Sequence, residues 1–256
     1  MDAFRLDGKV VIIAGASSGM GARAAEILSD AGAKVYILAR RENRLKELTD
    51  KINAAGGSCA YSAADVSDEA ACKAAVGDCV AKFGRVDGLV FASGIEGKHT
   101  LLDPITEQLD VENGRAVMNV NYFGFVAMAK YCIEEMQKVG GGSIVAIGSA
   151  AAIKTRCGEF SYSASKGAMR TAARVIGALA GPLNIRCNSI LPGLVATEIS
   201  EEYLKNTDFV NEFLKGVPIG KVGTTDDIGN CILYLISDAS KWMTGQEIVL
   251  DGGMIC

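Results

Sequence analysis

The chain has 256 residues, 49% of them apolar and 22% charged, with a net charge of −4 and a pI near 5.2. This is an ordinary soluble globular composition, enough for one or two domains with a large core. No run of Lys and Arg exceeds a pair or so, which argues against nucleic acid or an anionic membrane as partner, and no apolar run approaches the roughly 18 residues of a membrane span.

Asp2 and Asp7 stand where a secretory signal needs a basic start and an apolar run, so a cytoplasmic location is expected. Eight cysteines (Cys59, Cys72, Cys79, Cys132, Cys157, Cys187, Cys231 and Cys256) are scattered without a Cys-x-x-Cys and read mostly as small buried hydrophobes. His99 is the only histidine, so a histidine-built zinc site is not expected, and no metal site is assigned.

The short β-branched run at residues 9–14 reads as a first strand, followed by a glycine-rich turn and a helix over 22–31. A strand at 34–39 completes one βαβ unit with an expected right-handed crossover. A helix over 41–55 carries Leu45, Leu48 and Ile52 on one face. The alternation continues with a strand at 58–64, a helix at 68–83 and a strand at 88–92. A long helix spans 111–138, with a break expected near Gly114. Then come a strand at 143–148, a helix at 161–180, a strand at 184–191, short helices over 195–215, a helix at 226–236 and a strand at 247–250. This pattern predicts an α/β fold. It is one Rossmann-like, doubly wound parallel sheet of about seven strands with helices on both faces, in a single domain over residues 1–256.

Two stretches carry chemistry. Gly15-Ala16-Ser17-Ser18-Gly19-Met20-Gly21, between strand and helix, would aim backbone N–H groups and a helix N-terminus at a phosphate. Its spacing is not the Gly-x-Gly-x-x-Gly fingerprint. The same residues spell Gly15-x-Ser17-x-Gly19, a hydrolase nucleophile elbow, for which His99 is the only candidate base. Tyr162 and Lys166, four apart in a helix, share one face. An ammonium there would lower the phenol from about 10 and ready it for acid–base work. Taken alone, the pair also fits a surface tyrosine lying over a lysine stem.

In order and spacing these residues resemble the short-chain dehydrogenase/reductase family, from Gly8 to Gly253. The family's Thr-Gly-x-x-x-Gly-x-Gly matches Ala14 to Gly21, with Ala for the usual Thr. Its Asp-Val matches Asp65-Val66, and its Asn-x-x-Gly matches Asn121 to Gly124. Its active serine matches Ser149, thirteen residues before Tyr162, and its Tyr-x-x-x-Lys matches Tyr162 and Lys166. The motifs at 188–197 and 245–253 match as well. One departure is Phe91-Ala92-Ser93-Gly94 in place of Asn-Asn-Ala-Gly, which removes two asparagines near the cofactor; Phe91 is expected to fill the space by packing.

The resemblance implies NAD(P)-dependent hydride transfer between a secondary alcohol and a ketone. Tyr162 would be the acid/base, Lys166 would lower its pKa and hold the nicotinamide ribose, Ser149 would bond the substrate oxygen, and Asn121 would hold a water that links Lys166 to solvent. Cofactor contacts are expected from Gly15, Ser17, Ser18, Gly19, Met20, Gly21, Arg40, Arg41, Asp65 and Val66. They are expected also from Ala92, Ser93, Gly94, Tyr162, Lys166, Pro192, Gly193, Val195 and Thr197. Ala39 ends the second strand where an acid would select NAD, and Arg40-Arg41 suit a phosphate, so NADP(H) is the expected cofactor. Residues 196–215 are expected to cover a small-molecule substrate. A bulky hydrophobic alcohol such as a hydroxysteroid is the first reading, a 3-oxoacyl thioester the second, and an idle NADP-binding regulatory module the reading of another class. The resemblance also implies a homodimer or homotetramer.

Overall fold

The structure is a computed structural model that describes residues 2–100, 102–154 and 159–256. Cys157 lies outside the described residues. Among those residues one sheet of seven strands runs in the order β3-β2-β1-β4-β5-β6-β7, every neighbour pair parallel. The strands are β1 (Val10–Ala14), β2 (Lys34–Ala39), β3 (Ser58–Ala63), β4 (Gly88–Phe91), β5 (Gly142–Ile147), β6 (Ile185–Pro192) and β7 (Glu247–Leu250).

The strand pleat decides which face each side chain joins. Val10, Ile12 and Ala14 enter one core, whereas Val11 and Ile13 enter the other. The first core is closed by helices α3 (Glu69–Phe83), α6 (Gly124–Lys138) and α7 (Phe160–Leu179). The second is closed by α1 (Gly19–Asp30), α2 (Glu42–Ala54) and α10 (Thr225–Ile236). Central strands buried on both sides read as unbroken apolar runs, which is why 9–14 and 34–39 stood out in the sequence.

Between β6 and α10 lie α8 (Glu201–Lys205) and α9 (Thr207–Leu214), the short helices expected in 196–215. A small helix α4 (Ile105–Gln108) was not foreseen.

The interruption of the long helix is not at Gly114. That residue sits inside α5 (Val111–Met118), where a Cβ would come 3.3 Å from Ser161 Oγ, so its small size serves packing against α7. The break comes later, as a π-turn at Asn119–Phe123, before α6. Such wide turns re-aim side chains and often mark working sites. This one carries Asn121, which is fully buried.

The chain moves from β1 outward to β2 and β3, then returns to place β4 on β1's other side. At that reversal the loops leaving β1 and β4 part and open a crevice at the carboxyl ends of the strands. Phe91 ends β4 at 0% exposure, edge-to-face with Phe125 at 5.5 Å, so it does fill the space by packing.

Candidate active site

The turn after β1 is shaped by contact with the loop after β4. Gly15 has φ +88°, and a Cβ there would fall 2.4 Å from Ser93 N. A Cβ on Gly21 would fall 2.3 Å from Gly15 O. No larger residue fits either place. Helix α1 begins at Gly19, three residues before the sequence suggests, so Gly19, Met20 and Gly21 form its first turn. Its N-cap, Ser18, makes no side-chain capping bond; its hydroxyl instead accepts from Arg41 Nη2 at 2.7 Å. An uncapped first turn with a positive dipole end is a phosphate cradle.

A cleft of about 420 Å³ runs over this turn. It is lined by Gly15, Ser17, Ser18, Gly19, Met20, Gly21, Arg40, Arg41, Asp65, Val66, Ala92, Ser93, Gly94 and Thr197. Its size is that of a site for a large organic ligand. Glycines, hydroxyls and guanidinium groups on its walls fit a dinucleotide's phosphates. Arg41 is held within the cleft: Nε and Nη2 donate to Ser17 Oγ at 3.1 and 3.0 Å, and Nη1 pairs with Glu198 at 2.7 Å.

Ser17 Oγ therefore meets Arg41 and not a histidine. His99 lies beside Asp110, Nε2 at 3.5 Å, and Asp103, Nδ1 at 4.0 Å. The nucleophile-elbow reading of the glycine turn is overturned.

Beside this cleft lies a second, mostly apolar one. Ser149, Tyr162, Pro192, Gly193 and Val195 line it, with Ala150, Leu194, Ile199, Phe209, Phe213 and Met254. Met20, Glu96, Thr197 and Ile199 border both. Ser149 lies two residues past β5 and caps the turn Ala150–Ala152, its Oγ accepting from Ala151 N at 3.1 Å. Tyr162 and Ser149 line the same cleft, and the Ser149 hydroxyl favours the ionised phenol.

Helix α7 starts on Glu159, buried at 2% exposure. Its carboxylate accepts from Ser161 N at 2.5 Å and Tyr162 N at 2.6 Å, which fixes the backbone that carries the phenol. Lys166 is 4% exposed and its Nζ donates to Ile147 O at 2.8 Å. Gly94 makes room for it: a Cβ there would lie 3.2 Å from Lys166 Nζ and 3.5 Å from Asn121 Oδ1. Asn121 Oδ1 accepts from Ile95 N at 2.9 Å, while Nδ2 donates to Ile95 O and Ser165 Oγ, both at 2.9 Å. Ser165 Oγ donates in turn to Tyr162 O at 2.7 Å. Asn121 thus ties the loop after β4 to the second turn of α7.

The electrostatics correct one expectation. Tyr162 is not lowered. Burial pushes it up to about 12, the Ser149 hydroxyl pulls down, and the Glu96 charge adds to the rise. Lys166, 5.6 Å from the ring centre, is brought down to about 7 by burial. In this arrangement the desolvation of both groups outweighs their mutual influence.

Glu96, Glu159, Ser165 and the Ile147 carbonyl were missed from sequence. Glu159 is not one of the usual N-cap residue types, so its capping of α7 carried only the weak signal of an acid at a helix start. Nothing in spacing marks Glu96, and a backbone carbonyl has no sequence signal.

The family described as enoyl-(acyl carrier protein) reductase matches over residues 15–255. A 7α-hydroxysteroid dehydrogenase from Clostridium sardiniense is 33% identical over 249 residues, covering 97% of this chain and 94% of its own. The chain belongs to the short-chain dehydrogenase/reductase family. An L-rhamnose 1-dehydrogenase (NAD(P)(+)) from Azotobacter vinelandii is 32% identical over 250 residues, covering 96% of each chain. Among solved structures, a 7α-hydroxysteroid dehydrogenase complexed with NADH and 7-oxo glycochenodeoxycholic acid superposes with a TM-score of 0.89 at 31% identity, over 98% of this chain and 96% of that one. The short-chain dehydrogenase described here is thus an NAD(P)-dependent oxidoreductase whose relatives act on unlike substrates. Helices long and apolar enough to cross a membrane are absent among its described residues.

Proposed function

We propose that this enzyme uses NADP(H) to interconvert a secondary alcohol and a ketone, with a bulky hydrophobic substrate such as a hydroxysteroid. The observation that carries the reading is the meeting of Tyr162 and Ser149 at the mouth of an apolar cleft, next to a cleft built for a dinucleotide. The nicotinamide, when bound, supplies or takes up the hydride.

The chain's own residues do the rest. Ser149 Oγ and Tyr162 Oη converge, and a carbonyl oxygen between them receives two hydrogen bonds as charge develops on it. Tyr162, held neutral, gives its proton to that oxygen in ketone reduction. Lys166, buried beneath, sits beside Gly94 at the edge of the nucleotide cleft and holds the nicotinamide ribose. A water near Asn121 links Lys166 to solvent and returns the proton.

The NADP(H) preference is supported by Ala39 at the end of β2 and by Arg40 and Arg41 on the cleft wall. Helices α8 and α9 bring Tyr203, Phe209 and Phe213 over the apolar cleft, which supports the substrate-covering role of 196–215. We read the protein as a cytoplasmic homo-oligomer, dimer or tetramer; exposed Phe123, Val126, Val175 and Leu179 on and beside α6 and α7 support an interface there.

An absorbance assay at the reduced-nicotinamide band, run with both cofactors against hydroxysteroids, small ketones and 3-oxoacyl thioesters, tests this. Turnover of a steroid with NADP(H) above NAD(H) is expected. Turnover of acyl thioesters alone would favour the second reading, a 3-oxoacyl-thioester reductase, which a 31% identical relative named 3-oxoacyl-[acyl-carrier-protein] reductase supports.

A further inference from the structure

Among the described residues the apolar cleft has one charged wall residue, and the reaction above does not use it. Glu96 lies in the loop after β4 and borders both clefts, beside Tyr162 on the substrate side. Its Oε2 accepts from Tyr203 Oη at 3.3 Å. Among the described residues no cation pairs with it, and Oε1 has no hydrogen-bond donor. Burial pushes its carboxyl up, the Tyr203 bond opposes this, and the Glu159 charge adds to the rise.

A carboxylate on an apolar wall costs desolvation unless donors meet it. Two carboxylate oxygens offer about four acceptor positions, and Tyr203 takes one. Glu96 lines the same cleft as the Tyr162 phenol. The complement is a neutral hydrogen-bond donor on the substrate, because a carboxylate or phosphate would meet like charge and a cation would be desolvated against an otherwise apolar lining.

We propose that Glu96 is the specificity-determining residue of this cleft, accepting a hydrogen bond from a second hydroxyl of the substrate while the first lies at Tyr162. The favoured substrate is then an alicyclic diol or polyhydroxylated ring, with an apolar body against Leu194, Ile199 and Phe213. This rests on Tyr162 acting in this cleft, as proposed above.

Calorimetric titration of the full chain with oxidised cofactor, cyclohexanol and cyclohexane-1,2-diol tests the assignment, with a mono- and a dihydroxylated steroid as a second pair. The dihydroxylated member of one pair should bind about tenfold or more tighter, because a site built to bond a hydroxyl rejects the analogue that lacks it. Glu96→Leu should remove the preference, and Glu96→Gln, which keeps an acceptor oxygen, should retain part of it. Tyr203→Phe, which leaves the carboxylate, should keep it. Equal affinities within both pairs in the unaltered protein, no binding of either diol, or a preference that survives Glu96→Leu in a folded, cofactor-binding variant overturns the proposal. Turnover is a separate readout. Glu96-dependent diol binding without oxidation of any alcohol refutes the proposed reaction and leaves the assignment of Glu96 standing.

Discussion

Lys166 and Tyr162 share a face of one helix, yet the Lys166 amine donates to the Ile147 carbonyl at 2.8 Å and stands 5.6 Å from the Tyr162 ring centre. The lysine is anchored to the sheet, and burial brings it down to about 7. Between that value and its ordinary 10.5 the unfolded chain binds more protons than the folded one, so stability rises with pH across this window. The cost is full below about 7, where a buried ammonium persists. In urea unfolding of the cofactor-free protein, Lys166 should raise the midpoint from about pH 7 to about pH 9, above which the buried thiols of Cys59, Cys79 and Cys187, pushed up by burial, oppose the climb. Lys166→Met should flatten the climb and be the more stable of the two at pH 7. Parallel pH profiles for the two proteins would contradict the buried, discharged lysine.

Tyr162, pushed up to about 12, is a proton donor at neutral pH. Reduction should therefore run near neutrality, and oxidation, which needs the phenolate, should accelerate as pH rises through the alkaline range. Tyr162→Phe should lower turnover by about 10³-fold in both directions. Cofactor affinity, read by nucleotide fluorescence, should change little. Near-normal turnover in this variant would remove Tyr162 from the chemistry.

Arg41, on the wall of the nucleotide cleft, is bonded to Ser17, Ser18 and Glu198. Glu198 also lies 3.6 Å from Arg44, so a carboxylate from the segment 196–215 occupies the basic corner that would meet a 2′-phosphate. Arg41→Ala should weaken NADP(H) by about tenfold with little effect on NAD(H), as expected for loss of one charge-assisted contact. Glu198→Gln should strengthen NADP(H). Kd values for both cofactors check this; an unchanged NADP(H)/NAD(H) ratio in both variants would leave the preference without a basis in this corner.

Gly94→Ala puts a methyl 3.2 Å from Lys166 Nζ and 3.5 Å from Asn121 Oδ1. Both atoms must give, and Asn121 is locked to Ile95 and Ser165. The variant should stay folded but lose about tenfold or more in kcat, since small misplacements of positioned groups carry such penalties. Steady-state kinetics beside thermal unfolding separates the two effects. Unchanged kcat would show that the pocket around Lys166 is looser than drawn.

Sheet, helix alternation and glycine turn were legible because local patterns fix them: a strand buried on both faces must be apolar throughout, and a turn against a second loop must be glycine. Tyr162, Lys166 and Ser149 were legible through their spacing within one helix and before it. Asn121 was legible as a residue, but its π-turn was not, since Gly114 offered the more obvious break and small size there serves packing instead. The direction of the Tyr162 shift was misjudged because spacing shows which charge is near and not how much water is gone.

By itself the sequence determined the order of elements, the glycines that bring β1's loop against β4's, and the family. Only the tertiary structure decided the rest. It placed Glu159 under the Tyr162 amide, turned Lys166 to Ile147 and set Glu96 beside Tyr203 across 107 residues of chain. Burial and long-range contact are properties of the packed molecule. They set protonation and recognition, and no local pattern in the chain encodes them.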